Sequence, residues 1–146
     1  MKIAGRVDYA LSCLLRIADK CGKGAVTAQE IAEKENLKED YVEQLLILLR
    51  RKGIIKSTKG PGGGYLLAKS PSRITMKDVI EAIEKDVLEI VCFRKKGRRH
   101  KCAHMEDCRI RGLWMKVKRD VELVFDKFNL EKMLSRRKKE KNWNKI

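Results

Sequence analysis

Residues 40–67 read DYVEQLLILLRRKGIIKSTKGPGGGYLL, a stretch that passes from helical spacing to a glycine-tipped hairpin. Val42, Leu45, Leu46 and Leu49 recur at intervals of three and four, which marks one face of a helix ending at Gly53. Glu39, Glu43, Gln44, Arg50 and Arg51 lie off that stripe and remain available to solvent or a partner. Two β-prone runs follow, 54–58 and 65–68, around a tip of Lys59, Gly60, Pro61, Gly62, Gly63 and Gly64. Such residues accept positive φ or set a turn, so the pair reads as a hairpin. The tip is no nucleotide cradle: it lacks the Gly-Lys-Ser/Thr ending of a P-loop, and Tyr65 occupies the place of the last glycine in a dinucleotide fingerprint.

Upstream, Ile3, Val7, Ala10, Leu11, Leu14, Leu15 and Ala18 predict a first helix over 3–18, with Gly22 and Gly24 as its stop. Thr27 and Glu30 have the spacing of a capping box and start a short second helix running to about Lys34. A turn near 36–38 then leads into the third. Downstream, Thr75 caps a fourth helix in which Val79, Ile80, Ile83 and Val87 repeat. Residues 92–106 have no apolar period and read as a loop. From Cys108 onward, Ile110, Trp114, Val117, Val121, Val124 and Phe128 form a heptad seam, which needs another helix to face.

Three helices followed by a hairpin, with a short turn between the second and third, is the layout of a winged helix-turn-helix, so the predicted class is mainly α with a long C-terminal dimerisation helix. The divisions expected are a DNA-binding unit at 1–87, a cysteine-containing loop at 88–107, the pairing helix at 108–134 and a basic tail at 135–146. A helix of this length enters a major groove, and a hairpin tipped by Gly62 and Gly63 lies close to the flanking backbone because it lacks side-chain bulk. Gln44 suits an adenine edge, Glu43 a cytosine amine and Tyr41 a phosphate. A core helix has no need of Arg50, Arg51, Lys52, Lys56 and Lys59 within ten residues free of acids.

Composition agrees. The 146 residues suit one compact unit, and 35 Lys plus Arg against 20 Asp plus Glu give a net charge of +15, which favours an anionic partner. Most of the excess lies in two segments: Arg94, Lys95, Lys96, Arg98, Arg99 and Lys101 in the loop, and residues 136–145 in the tail. Charge alone therefore does not locate the interface. The longest apolar run, 45–49, is far below the roughly 20 residues of a membrane span. Arg6, Asp8, Arg16 and Asp19 interrupt the N-terminal apolar stretch, which excludes a secretion signal and predicts a cytoplasmic protein. No catalytic dyad or small-molecule substrate pocket is legible, so no enzyme is expected.

The five cysteines are an odd number, better read as thiols, metal ligands or redox groups than as a disulfide frame. Cys92, Cys102 and Cys108 cluster, whereas Cys13 and Cys21 lie on helix one and read as small buried apolar residues. Thiolates suit iron–sulphur clusters and zinc alike. Zinc at the three cysteines with His100 or His104 would be a structural staple, and a small redox or electron-transfer protein is a further alternative.

At Gly60-Pro61-Gly62-Gly63-Gly64-Tyr65, and at Asp40-Tyr41-Val42-Glu43-Gln44-Leu45, the chain resembles the Rrf-type winged-helix repressors, including IscR-like and NsrR-like regulators. The resemblance runs from Met1 to about Leu134. It implies a homodimer joined by the C-terminal helix, operator DNA bound by helix three and the wing, and a 2Fe-2S or 4Fe-4S cluster held by Cys92, Cys102 and Cys108. Asp8 corresponds in position to the acidic ligand of NsrR-like members, with His100 and His104 as alternatives for the fourth ligand. Lys59 stands where the family often has arginine. The family's two five-residue cysteine intervals become nine and five here, and Arg111 replaces its histidine. A cluster beside six basic residues, with one non-thiolate ligand, would be labile to oxygen, nitric oxide or iron scarcity.

Overall fold

The computed structural model describes residues 5–88, 90 and 107–139, the side chains of 137–139 excepted. The chain runs α1 (Gly5–Asp19), α2 (Ala28–Glu35), α3 (Glu39–Arg51), β1 (Ile55–Thr58), β2 (Gly64–Leu67), a 3-10 turn (Pro71–Arg73), α4 (Met76–Glu84), α5 (Arg111–Asp126) and α6 (Leu130–Lys139). Of the expected first-helix stripe, Ile3 lies outside the described residues.

Local chemistry sets the helix ends. Thr27 Oγ1 accepts from Glu30 N–H while the Glu30 carboxylate accepts from Thr27 N–H, and Thr75 and Asp78 repeat the exchange at the start of α4. Asn36, left-handed at φ +53°, closes α2 and makes the sharp turn into α3. The helices then bury one continuous core: Val7, Leu14 and Ile17 from α1, Ile31 from α2, Val42, Leu45, Leu46 and Leu49 from α3, and Val79, Ile80 and Ile83 from α4. Helix four stops at Glu84, because Lys85 adopts φ +68°. Val87, expected within that helix, lies beyond it and is nonetheless buried.

β1 and β2 pair antiparallel, Ile55 opposite Leu67 and Thr58 opposite Gly64. A third partner is absent from the sequence reading: Val26 exchanges backbone hydrogen bonds with Tyr65 at 3.0 and 2.8 Å. The wing is thereby tied to the segment between α1 and α2. Gly64 is required there, since a Cβ at that position would stand 2.6 Å from the Val26 carbonyl oxygen.

The continuous pairing helix expected over 108–134 is broken. Met76 N–H donates to the Phe128 carbonyl at 2.7 Å and Leu130 N–H to the Ile74 carbonyl at 2.9 Å, a short bridge that draws 128–130 onto the start of α4. Asn129 begins α6 by accepting from Lys132 N–H through its side chain, and its amide donates to the Ser72 carbonyl. Helix α6 then folds back on α1 and the 3-10 turn, with Leu130 fully buried and Met133 and Leu134 against the core. The seam is also re-registered. Val121 and Phe125 pack on the chain's own core, while Ile110, Leu113, Trp114, Val124 and Phe128 are exposed, so Leu113 replaces Val121 on the open face.

Because Leu130 is enclosed by elements far apart in sequence, Leu130→Ala is expected to cost about 2–5 kcal/mol in urea unfolding. A cost under ~1 kcal/mol would mean that α6 is not part of the core.

Candidate nucleic-acid interface

The turn at Asn36 and the four buried apolar residues of α3 determine which way that helix faces. Glu39, Asp40, Glu43, Gln44, Arg50 and Arg51 are exposed, as their off-stripe positions predict. Tyr41 is half-buried and meets Tyr9 of α1 edge to face, with ring centroids 5.8 Å apart and planes at 85°. Arg50 leans toward the hairpin, where its Nη1 donates to Ser57 Oγ at 3.3 Å. The Arg51, Lys56 and Lys59 side chains are exposed. Lys52 turns elsewhere, since its Nζ stands 3.4 Å from Glu81 Oε2 of α4.

The hairpin tip is narrow by construction. Gly63 N–H donates to the Gly60 carbonyl at 2.9 Å, and a Cβ on Gly63 would lie 2.7 Å from the carbonyl oxygens of Gly60 and Thr58. Gly62 is exposed beside it. The surface made by α3 and the wing is bipolar: carboxylates at the first turns of α3, cations at its last turn and along the hairpin. The acids at the helix start and the arginines at its end both suit the helix dipole.

The cysteine readings divide. Cys92, Cys102, His100 and His104 lie outside the described residues, as do the loop's six basic residues. Cys108 is half-buried just before α5, and Asp8 is exposed on α1. Among the described residues no group of three or more His, Cys, Asp and Glu is placed to hold a metal. The three thiols, close in sequence to six cations, are of a type that suits a thiolate-ligated centre. Cys13 is a core residue, as its helix-one position suggests, and burial pushes its thiol up to about 12, with the Glu35 carboxylate adding to the effect. Cys21 is exposed, contrary to its reading as a small buried residue, because α1 ends two residues before it.

Sequence reasoning missed several residues that shape the surface. Val26 carries no signal for its bridge to Tyr65. Asn129 does carry one, as a short polar side chain at a helix start. Lys77 gave no hint of its place between α4 and α5.

A helix presented by a turn, beside a hairpin too thin to obstruct close approach, defines a winged-helix DNA-binding fold. The chain belongs to the Rrf2 family, described as iron-dependent transcriptional regulators, whose match spans residues 3–136. CymR of Bacillus subtilis is 33% identical over 135 residues, spanning 92% of this chain and 91% of that protein. The solved structure of that CymR, called the global cysteine regulator of B. subtilis, superposes with a TM-score of 0.72 at 32% identity over 92% of this chain and 97% of its own. IscR of T. potens also gives a TM-score of 0.72, at 30% identity over 97% of this chain and 92% of its own. The chain is therefore an Rrf2-family transcription regulator, and these relatives are regulators rather than enzymes. No described helix is long and apolar enough to cross a membrane.

The Cys13 and Cys21 thiols should behave oppositely. In native protein at pH 8, an alkylating reagent is expected to label Cys21 and spare Cys13; equal labelling would contradict the burial of Cys13. The raised Cys13 value also has a sign. The folded state holds the proton that the unfolded thiol loses above its ordinary 9.0, so this contribution is complete below pH 9 and lost as pH climbs toward 12. Between pH 8 and 10.5 the urea midpoint of the native chain should fall further than that of Cys13→Ala.

Proposed function

We propose that the chain is a homodimeric repressor that reads duplex operator DNA with α3 and the wing and is governed by a labile iron–sulphur cluster. The observation that carries the DNA-reading part is the joint exposure of Glu43 and Gln44 on α3 beside the glycine tip of the wing. Gln44 bonds an adenine edge and Glu43 accepts from a cytosine amine. Tyr41, Arg50, Arg51, Lys56 and Lys59 hold phosphates, and Gly62 and Gly63 let the backbone approach the flanking strand. Pairing through α5 follows from its open face: Leu113 is 63% exposed and Ile110 56%, an apolar stripe that a second copy would cover.

Cys92, Cys102, Cys108 and Asp8 would hold the cluster. Such a group, when bound, supplies a centre reactive toward oxygen, nitric oxide and iron scarcity. Asp8 belongs to α1, which packs against α3, and Cys108 stands at the root of α5. Holding both residues at one place ties the reading unit to the pairing helix, and releasing either lets the two units shift. Operator DNA must then alter cluster retention by the same factor that the cluster alters operator affinity. The 33% identity to CymR favours a second reading, in which the regulator answers to cysteine supply with no cluster. Cytoplasmic residence follows from either reading.

Anaerobically purified protein should contain iron and acid-labile sulphide and absorb visibly, and its operator affinity should differ at least tenfold, about 1.4 kcal/mol, from that of cluster-free dimer in the same buffer. Equal affinities would eliminate the switch and leave the second reading. Separately, Gln44→Ala should relax base preference, whereas Lys59→Ala should weaken all sequences and reduce the salt slope by about one. If both variants lose specific and random DNA alike, α3 does not read bases.

A further inference from the structure

Lys77 of α4 lies at the centre of an ion-pair chain that runs from α5 to the end of α3. Its Nζ stands 3.5 Å from Glu122 Oε2 and 3.8 Å from Asp126 Oδ2 on α5, and 4.0 Å from Glu81 Oε1 on its own helix. The other oxygen of Glu81 meets Lys52, the residue that closes α3, at 3.4 Å. On the far side, Lys118 of α5 stands 3.9 Å from Glu122 Oε1 and donates to both oxygens of Asp86 at 2.7 and 2.8 Å. Thr75 Oγ1 donates to Asp126 Oδ1 at 3.2 Å, fixing that carboxylate beside the first turn of α4. Glu122 and Asp126 of α5 are thus connected through Lys77 and Glu81 to Lys52, the residue just past the end of α3.

The rest of α3's support differs in kind. Val42, Leu45, Leu46 and Leu49 hold it by apolar burial, a non-directional attraction whose packing resists separation more than small slides along the helix axis. An ammonium between fixed carboxylates is sensitive to such slides. Isolated surface pairs contribute little, but here one half-buried lysine serves three carboxylates, an arrangement in which charges act as a network.

We propose that Lys77 and Glu81 are positioning residues through which α5 sets the axial placement of α3. The inference rests on the reading of α3 as the base-reading helix. Lys77 and Glu81 touch no base; they act through Lys52. A displacement of α5 in the dimer moves Glu122 and Asp126, and Lys77 and Glu81 pass that shift to the end of α3.

The test uses the full-length chain with two probes: a duplex selected from a random library by the wild-type protein, and a random-sequence duplex of the same length. Lys77→Met should lower the preference for the selected duplex about tenfold, and Lys77→Arg should restore most of it. Glu81→Gln should lower the preference as well. The two losses separate positioning from bulk charge, because Lys77→Met removes a positive charge and Glu81→Gln removes a negative one; a purely electrostatic effect would weaken binding to both duplexes in Lys77→Met and strengthen binding to both in Glu81→Gln. Glu81→Gln also serves if Lys77→Met fails to fold. A preference unchanged in Glu81→Gln, or melting temperatures that fall with the selected-to-random ratio intact, would overturn the positioning role while leaving α3 as the reader. A wild-type chain with no preference between duplexes would overturn the reading of α3 and this inference with it.

Discussion

The orientation of α3 is the constraint on which the remainder depends. Four buried side chains, Val42, Leu45, Leu46 and Leu49, lie on one stripe, and each contributes about 1.5–3 kcal/mol relative to exposure. Rotating the helix by one residue, roughly 100°, would bring Gln44 or Glu43 inward and expose leucine. Nothing in the core of this chain would satisfy a carboxylate there, since it contains no buried polar or charged residue among those described. The polar face of α3 therefore points outward for reasons unrelated to any ligand, and the exposure of Glu43 and Gln44 follows from the packing of their neighbours.

Helix α5 is subject to two opposing demands. Val121 and Phe125 complete the chain's own core, while Leu113 and Val124 on another face, and Trp114 two turns before Val121, are left uncovered. A single helix satisfies both only if its apolar residues extend beyond a coiled-coil seam, and Leu113, Met115 and Leu123 add apolar positions outside the alternating threes and fours. The break at 127–129 then decides what happens at the end. By pairing 128–130 with the start of α4, the chain returns Leu130 to the core instead of extending the open stripe. The open face is thereby confined to α5 and the residues flanking it.

Local signals were legible in the sequence and distant ones were not. Thr27 with Glu30 and Thr75 with Asp78 announce helix starts because both partners lie within four residues, and the stripes on α1 to α4 emerge from the period alone. The Val26–Tyr65 bridge joins residues whose proximity is a product of folding, so no window contains it. Heptad spacing in α5 misled in a specific way. It counts apolar positions without asking which surface covers them, so it does not reveal that Val121 packs against the chain's own core. The same spacing continues to Phe128, past the helix end that Asn129 and the bridge to Ile74 impose. For the cysteines, the sequence supplies the donors and their intervals; Cys92 and Cys102 lie outside the described residues, so only Cys108 and Asp8 are placed.

The uneven charge of α3 bears on how a reader of bases would also hold the backbone. Glu39 and Asp40 stabilise the first turn through the helix dipole, yet they and Glu43 repel phosphate. A carboxylate directed at a base edge is tolerable only if cations elsewhere on the same surface offset that repulsion, and Arg50, Arg51, Lys56 and Lys59 are the ones the fold provides. Arg50 is steered onto this surface by Ser57, whereas Lys52, two residues further on, is drawn off it by Glu81. The split follows from helix geometry, since residues two apart on an α-helix diverge by about 200°. Grip and selectivity would thus come from opposite ends of one helix. On that account, any small tilt of α3 exchanges one for the other, which makes the means of holding its last turn in place as consequential as the side chains facing the groove.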